Sequence, residues 1–314
     1  MRYGFGIDVG GTTIKMAFLD EDGNMRDKWE IPTRTEDGGK NVLPDIAASI
    51  KEYMEKEDLR REQIIGIGIG VPGPISEAGI VNKCVNLGWD MVDLHGELSV
   101  LTGMHVKGGN DANVAALGEC WKGGGQGASD LIMATLGTGV GGGIINNGHI
   151  IAGFHGAGGE IGHITMNTEE TELCGCGKRG CAEQYCSATG VVRMTKRYLA
   201  AHDTPSVLRG QKFECKDVFA AAANGDEAAK ETLEQVYEIL GKFLANLACV
   251  TDPEVIVLGG GVSKAGQSLI DGVTGYYHKY AFHACRSTRI TLATLGNDAG
   301  AYGAFKLALD EFGG

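Results

Sequence analysis

Short apolar runs, each closed by a cluster of glycines, recur along the chain and predict buried strands joined by tight turns. Residues 3–9, YGFGIDV, read as a strand that places Asp8 at its tip. The turn Gly10-Gly11-Thr12-Thr13, a second strand IKMAFL and a turn at Asp22-Gly23 then close a meander. Residues 131–153, LIMATLGTGVGGGIINNGHIIAG, repeat that plan at nearly the same spacing, with a tight turn at Asn147-Gly148. This duplication predicts an α/β fold of two related units, with the two Gly-Thr turns facing a shared cleft. IIGIGIGVPGP (64–74) predicts a further buried strand, and EVIVLGGGVSKAGQSLIDGV (254–273) a strand, a glycine turn and a helix.

Helical spacing takes over elsewhere. Leu43, Ile46, Ile50 and Met54 mark an amphipathic helix, and HVKGGNDANVAALGE (105–119) reads as strand, turn and helix. Leu233, Val236, Leu240, Phe243, Leu244 and Leu247 form a broad stripe on a long helix. Asp217 and Asp226 are the expected caps in this part, and a closing helix is expected from about Asp298.

The 51 glycines are the compositional outlier, and they gather where predicted strands end. Glycine there permits positive φ and lets backbone N–H groups approach a ligand closely. Asp8 beside Gly10, Gly11 and Thr12 suits a magnesium ion held through water, with the turn's N–H groups facing phosphate; the alternative is a plain hairpin with a bulge. Lys15 is counted with this segment, or is an exposed strand residue. Gly137, Thr138 and Gly139 form the matching second turn. Gly259, Gly260 and Gly261 either admit a flat adenine ring or make a tight βα connection. Asn86 is a candidate for binding a ligand hydroxyl or a local cap. Asn110 and Asp111 fall at a strand's C-terminal end, where ligand crevices of α/β sheets lie. Asp111 there can take a hydroxyl proton, or it is merely the N-cap of the next helix.

His163, Cys174, Cys176 and Cys181 offer one imidazole and three thiols at a spacing that can close on one tetrahedral ion. Such a set fills a four-coordinate shell and predicts a structural Zn²⁺. Buried small cysteines or a disulfide remnant are the alternatives, but the stretch between Cys174 and Cys181 is mostly Gly, Lys and Arg, which gives a core little to pack with. Glu160 and Glu183 flank the ligands, so the stapled loop is read as a mount for gripping a polar substrate.

Composition narrows the classes. A net charge of −12 over 314 residues disfavours a nucleic-acid partner. No run approaches a membrane span and no signal-peptide core precedes the first strand, so a cytoplasmic protein is expected. Nine cysteines, an odd number with three clustered, suit reduced thiols plus a metal.

Taken together, DVGGTT, GNDAN, LGTGVGGG, GGEIGH and the spacing H-x₁₀-C-x-C-x₄-C-x-E resemble the ROK family of bacterial sugar kinases, over essentially the whole chain. The resemblance implies a two-domain actin/hexokinase-like (ribonuclease H-like) ATPase fold. Residues 1–112 with 298–314 would form the small domain, and 113–297 the large domain with its zinc-binding sugar loop. It implies MgATP on the two Gly-Thr turns and adenosine at Gly259 to Gly261. A hexose would be held by Asn110, Glu160, His163 and Glu183, with Asp111 as the base. NLGW and the complete cysteine set look most like the ATP-dependent glucokinases of the family. GGNDAN departs from relatives that often carry an acidic residue before the asparagine. A dimer or tetramer is a family expectation. Sugar-responsive repressors of the family carry an N-terminal helix-turn-helix, for which a first strand at residue 3 leaves no room.

Overall fold

The computed structural model of the chain describes residues Met1 to Gly314. Ten strands build two five-stranded sheets. The first contains β1 (Tyr3–Val9), β2 (Thr13–Asp20), β3 (Met25–Pro32), β4 (Ile64–Val71) and β5 (Val106–Asn110). The second contains β6 (Leu131–Leu136), β7 (Val140–Asn146), β8 (His149–Ile150), β9 (Val255–Gly259) and β10 (Arg289–Leu292). Their orders, β3-β2-β1-β4-β5 and β8-β7-β6-β9-β10, are the same topology twice, so the duplicated pattern of the sequence is a duplicated sheet. In the first sheet β1–β2 and β2–β3 pair antiparallel, whereas β1–β4 and β4–β5 pair parallel. The apolar runs follow from this: β1, β4 and β9 are central and covered on both faces, which removes the polar alternation of a half-exposed strand.

Eight helices of nine residues or more cover the sheets: α1 (Val42–Lys56), α2 (Leu94–Thr102), α3 (Asp111–Lys122), α4 (Ala188–Ala201), α5 (Cys215–Ala223), α6 (Glu227–Thr251), α7 (Gln267–Tyr280) and α8 (Ala299–Phe312). The α1 stripe of Leu43, Ile46 and Ile50 is buried, as its spacing predicts. Asp226 caps α6, accepting from Ala229 N. Asp217 is not the N-cap: Glu214 holds that place on α5, and Asp217, the third helical residue, is its capping-box partner, accepting from Glu214 N at 2.8 Å. No helix is long and apolar enough to cross a membrane.

The chain divides into two compact units, one of Met1–Gly127, Gly143–Gly159 and Leu295–Gly314, the other of Ala128–Gly142 and Glu160–Thr294. The division thus differs from the one expected at residues 112 and 298, because α3 belongs with the first unit. The reason is close packing of α3 on α8, where a Cβ at Gly303 would stand 1.7 Å from the Val114 carbonyl oxygen. Only glycine allows that crossing distance.

Candidate functional site

In the first unit the Gly-Thr turn is pinned from both sides. Gly10 N donates to Thr13 O at 3.0 Å, and the Thr33 hydroxyl donates to Gly10 O at 2.7 Å. Gly11 and Thr12 are left exposed at the tip. Asp8 lies one residue inside β1, opposite Lys15 in the antiparallel register, and the two form an ion pair at 3.3 Å. Lys15 is therefore the partner of Asp8. Gly300, at the start of α8, leaves room for the Asp8 carboxylate: a Cβ there would lie 2.6 Å from Cγ.

Asn110 ends β5 in extended geometry (φ −64°, ψ 140°) and is itself the N-cap of α3, its Oδ1 accepting from Ala112 N and Asn113 N. Its Nδ2 donates to Gly73 O at 3.2 Å, which ties it to the PGP turn after β4. The capping role that the sequence left open for Asp111 thus belongs to its neighbour. Asp111 is the first helical residue, and its Oδ1 accepts from Ala112 N at 2.8 Å. Asn86 is exposed in a short 3₁₀ turn (Val85–Leu87), while Trp89 of the same loop is buried and donates to Gly39 O.

In the second unit, the turn at Gly137 to Gly139 stands in the corresponding place between β6 and β7 but closes more tightly, Gly137 N donating to Gly139 O at 2.9 Å. The start of α4 holds it: Ala188 N donates to Gly137 O, and the Thr189 hydroxyl to Thr138 O. Glu183 opens a short helical turn, Glu183–Cys186, and its Oε2 accepts from Val140 N at 3.0 Å. The cysteine loop and the second Gly-Thr turn are thereby joined through one carboxylate, a link the sequence reading missed. At the end of β9, Gly260 has φ +82° and lies against Leu136, whereas Gly261 faces open space.

His163, Cys174, Cys176 and Cys181 come together as expected, with one ligand atom from each within 4.8 Å of all the others. The Cys176–Cys181 sulfur distance is 3.7 Å, and His163 Nδ1 lies 3.8 Å from Cys174 Sγ. A tetrahedral zinc with Zn–S of 2.3 Å needs sulfur–sulfur edges of about 3.8 Å, so the quartet fits the ion. Burial pushes the Cys181 thiol up to about 12, whereas the backbone N–H of Lys178 holds Cys176 below its ordinary value. Backbone bonds set the loop: Cys174 N donates to Lys178 O and Met166 N to Gly180 O. His163 turns its other nitrogen, Nε2, toward the exposed Glu160 at 3.8 Å.

A second anchor holds the same loop to α4 and gave no signal in the sequence. Glu170, its side chain 1% exposed, accepts from Arg193, from both terminal nitrogens of Arg197, from the Tyr185 hydroxyl, and from the backbone of Thr171 and Glu172. The Arg197 hydrogen bonds outweigh the cost of burial and hold this carboxyl far below the usual range. Its contribution is therefore complete above the unfolded carboxyl value near pH 4.3 and is lost as pH falls toward the folded value. Replacing Glu170 with Ala should cost about 3 kcal/mol, because two guanidinium groups lose a buried partner. Chemical denaturation at neutral pH checks this, and the deficit should shrink below about pH 4.

The ROK family model matches residues 4–311. The chain is 44% identical to a glucokinase of Halalkalibacterium halodurans over 308 residues, covering 96% of this chain and 93% of that one. Among solved structures it superposes on a ROK hexokinase from Thermus thermophilus with TM-score 0.83 and 30% identity, over 98% of both chains. A ROK glucokinase from Streptomyces griseus in complex with glucose and AMPPNP gives TM-score 0.73 and 32% identity, over 98% of this chain and 99% of that one.

Proposed function

The chain belongs to the ROK family, and from that premise we propose that it transfers the γ-phosphoryl group of MgATP to the 6-hydroxyl of glucose, giving glucose 6-phosphate and ADP. The observation that supports the chemistry best is the division of labour at the end of β5. Asn110 does the capping, and Asp111 follows it at the head of α3 as the first helical residue, the place from which a carboxylate serves the reaction. Asp111 accepts the proton as the 6-oxygen attacks the γ-phosphorus and the bond to the ADP oxygen breaks. Proton transfer of this kind is one part of a reaction otherwise driven by positioning and charge neutralisation.

The remaining residues bind and orient. Asn110, Glu160, His163 and Glu183 hold the sugar hydroxyls, and Asn86 adds a further contact. Gly10, Gly11, Thr12 and, in the second unit, Gly137, Thr138 and Gly139 offer N–H groups to phosphate oxygens. Gly259 to Gly261 take the adenosine. Asp8, kept in place by Lys15, would hold the Mg²⁺, which would neutralise charge on the phosphates. His163, Cys174, Cys176 and Cys181 would hold a structural Zn²⁺, which would staple the loop rather than take part in the chemistry. His163 serves both the zinc and the sugar because its two ring nitrogens face different ways. The same reading makes the protein a cytoplasmic homo-oligomer, dimer or tetramer, at the entry of glucose to glycolysis.

Release of ADP from MgATP across a panel of glucose, mannose, allose, N-acetylglucosamine and N-acetylmannosamine, with a no-sugar control, tests the proposal. Glucose should give the highest kcat/KM. Preference for an acetamido sugar would overturn the substrate and keep the mechanism. Silence across the panel, from protein that contains zinc, would favour a non-catalytic sugar-responsive regulator.

A further inference from the structure

The first sheet has one edge at β5, the strand that ends in Asn110 and leads into Asp111. Its inner side pairs with β4, Ile69 standing opposite Gly108. On its outer side the Gly108 N–H donates to His95 Nε2 at 2.7 Å. A backbone amide can only donate, so Nε2 carries no proton in this arrangement. His95 is the second residue of α2, following the N-cap Asp93, whose side chain accepts from Gly96 N. The ring is seated over Gly79, where a Cβ would come within 2.0 Å of its Cγ, so no larger residue fits beneath it.

We propose that His95 is a positioning residue for phosphoryl transfer: its neutral imidazole fixes the strand end that presents Asn110 and Asp111, and protonation of Nε2 releases that strand. The inference rests on the sugar-kinase reading of Asn110 and Asp111. Three charged groups face the ring from the packed elements: Lys107 on β5, Glu311 on α8, paired with Lys107 at 3.1 Å, and Asp93 before α2. Burial and then Lys107 push the imidazole below its ordinary value, against the opposing pull of Asp93 and Glu311. The amino end of α2 also disfavours a positive ring. The sign follows: the neutral, strand-holding form is complete above the ordinary histidine value of about 6.5 and is lost as pH falls through the lower folded value.

Two readouts on the full-length protein test this between about pH 5 and pH 8: glucose phosphorylation, and amide hydrogen exchange of the peptide covering 106–110. In the wild type, exchange corrected for the intrinsic pH dependence of amide exchange should quicken and kcat fall roughly tenfold toward the acid end, the scale expected for a misplaced reacting group. His95→Gln keeps an acceptor that does not titrate, so it should stay within about threefold of wild type near pH 8 and lose the acid fall in both readouts. His95→Leu, with no acceptor, should exchange quickly and turn over roughly tenfold more slowly at every pH. If His95→Gln keeps the wild-type acid fall, or His95→Leu matches the wild type, the inference is overturned. Should His95→Leu fail to fold, the His95→Gln profile still decides. Failure of the kinase reading would instead appear as no ADP from the wild type near pH 8, and exchange would then decide the anchoring of the strand alone.

Discussion

Replacing Asp111 by Asn should lower kcat for glucose phosphorylation by about 10³-fold while leaving glucose affinity within about tenfold. The carboxamide keeps the shape of the side chain and can still accept from Ala112 N, so α3 and its cap by Asn110 should persist. What it cannot do is take the proton from the attacking hydroxyl. An interaction made mainly in the transition state affects kcat and kcat/KM together and barely moves binding. Steady-state kinetics with calorimetric glucose titration separates the two. Turnover near the wild-type level would remove Asp111 from the base role.

The second large effect is expected at the metal loop. Cys176 is the exposed member of the quartet, so Cys176→Ser leaves the packing of the buried Cys174 and Cys181 intact and tests ligation alone. The variant should lose stoichiometric zinc, and its glucose KM should rise roughly tenfold or more, because Glu183 and Glu160 lose a stiff mount. The thermal transition should fall as well, since Glu183 also joins the loop to Val140, the first residue of β7 after the second Gly-Thr turn. Metal analysis and KM measurement check both parts. Absence of zinc from the wild-type protein would sink the staple itself.

Much of the fold was legible because its signals are local. A strand, a Gly-Thr turn and a second strand occupy about twenty residues, and their repetition can be seen without any tertiary knowledge. The metal ligands lie within one stretch from His163 to Cys181, and so does the spacing that betrays them. The Asp8–Lys15 pair was not read, although the two flank one turn and the antiparallel register sets them opposite each other. What escaped depends on long separations or on geometry. Glu183 meets Val140 across 43 residues. Glu170 sits in a polar run, TEETE, that carries no period, and its partners are one and two turns along a helix that begins later. Which of Asn110 and Asp111 caps α3 turns on the extended backbone of Asn110, a one-residue distinction that composition does not encode.

The two sheets share a strand order but not the length of their third strands, eight residues in β3 and two in β8. Each of these is the outermost strand of its sheet, with backbone groups that could template another chain. The first copy keeps a long rim and guards it with Arg26, Asp27, Lys28 and Glu30, closing with Pro32, which has no amide to offer. The second copy dispenses with the guards by shortening the rim until there is little to template. The repeats thus limit edge pairing by different routes. Charge-removing changes on β3 should favour self-association of the folded protein, while comparable changes in β8 should be tolerated.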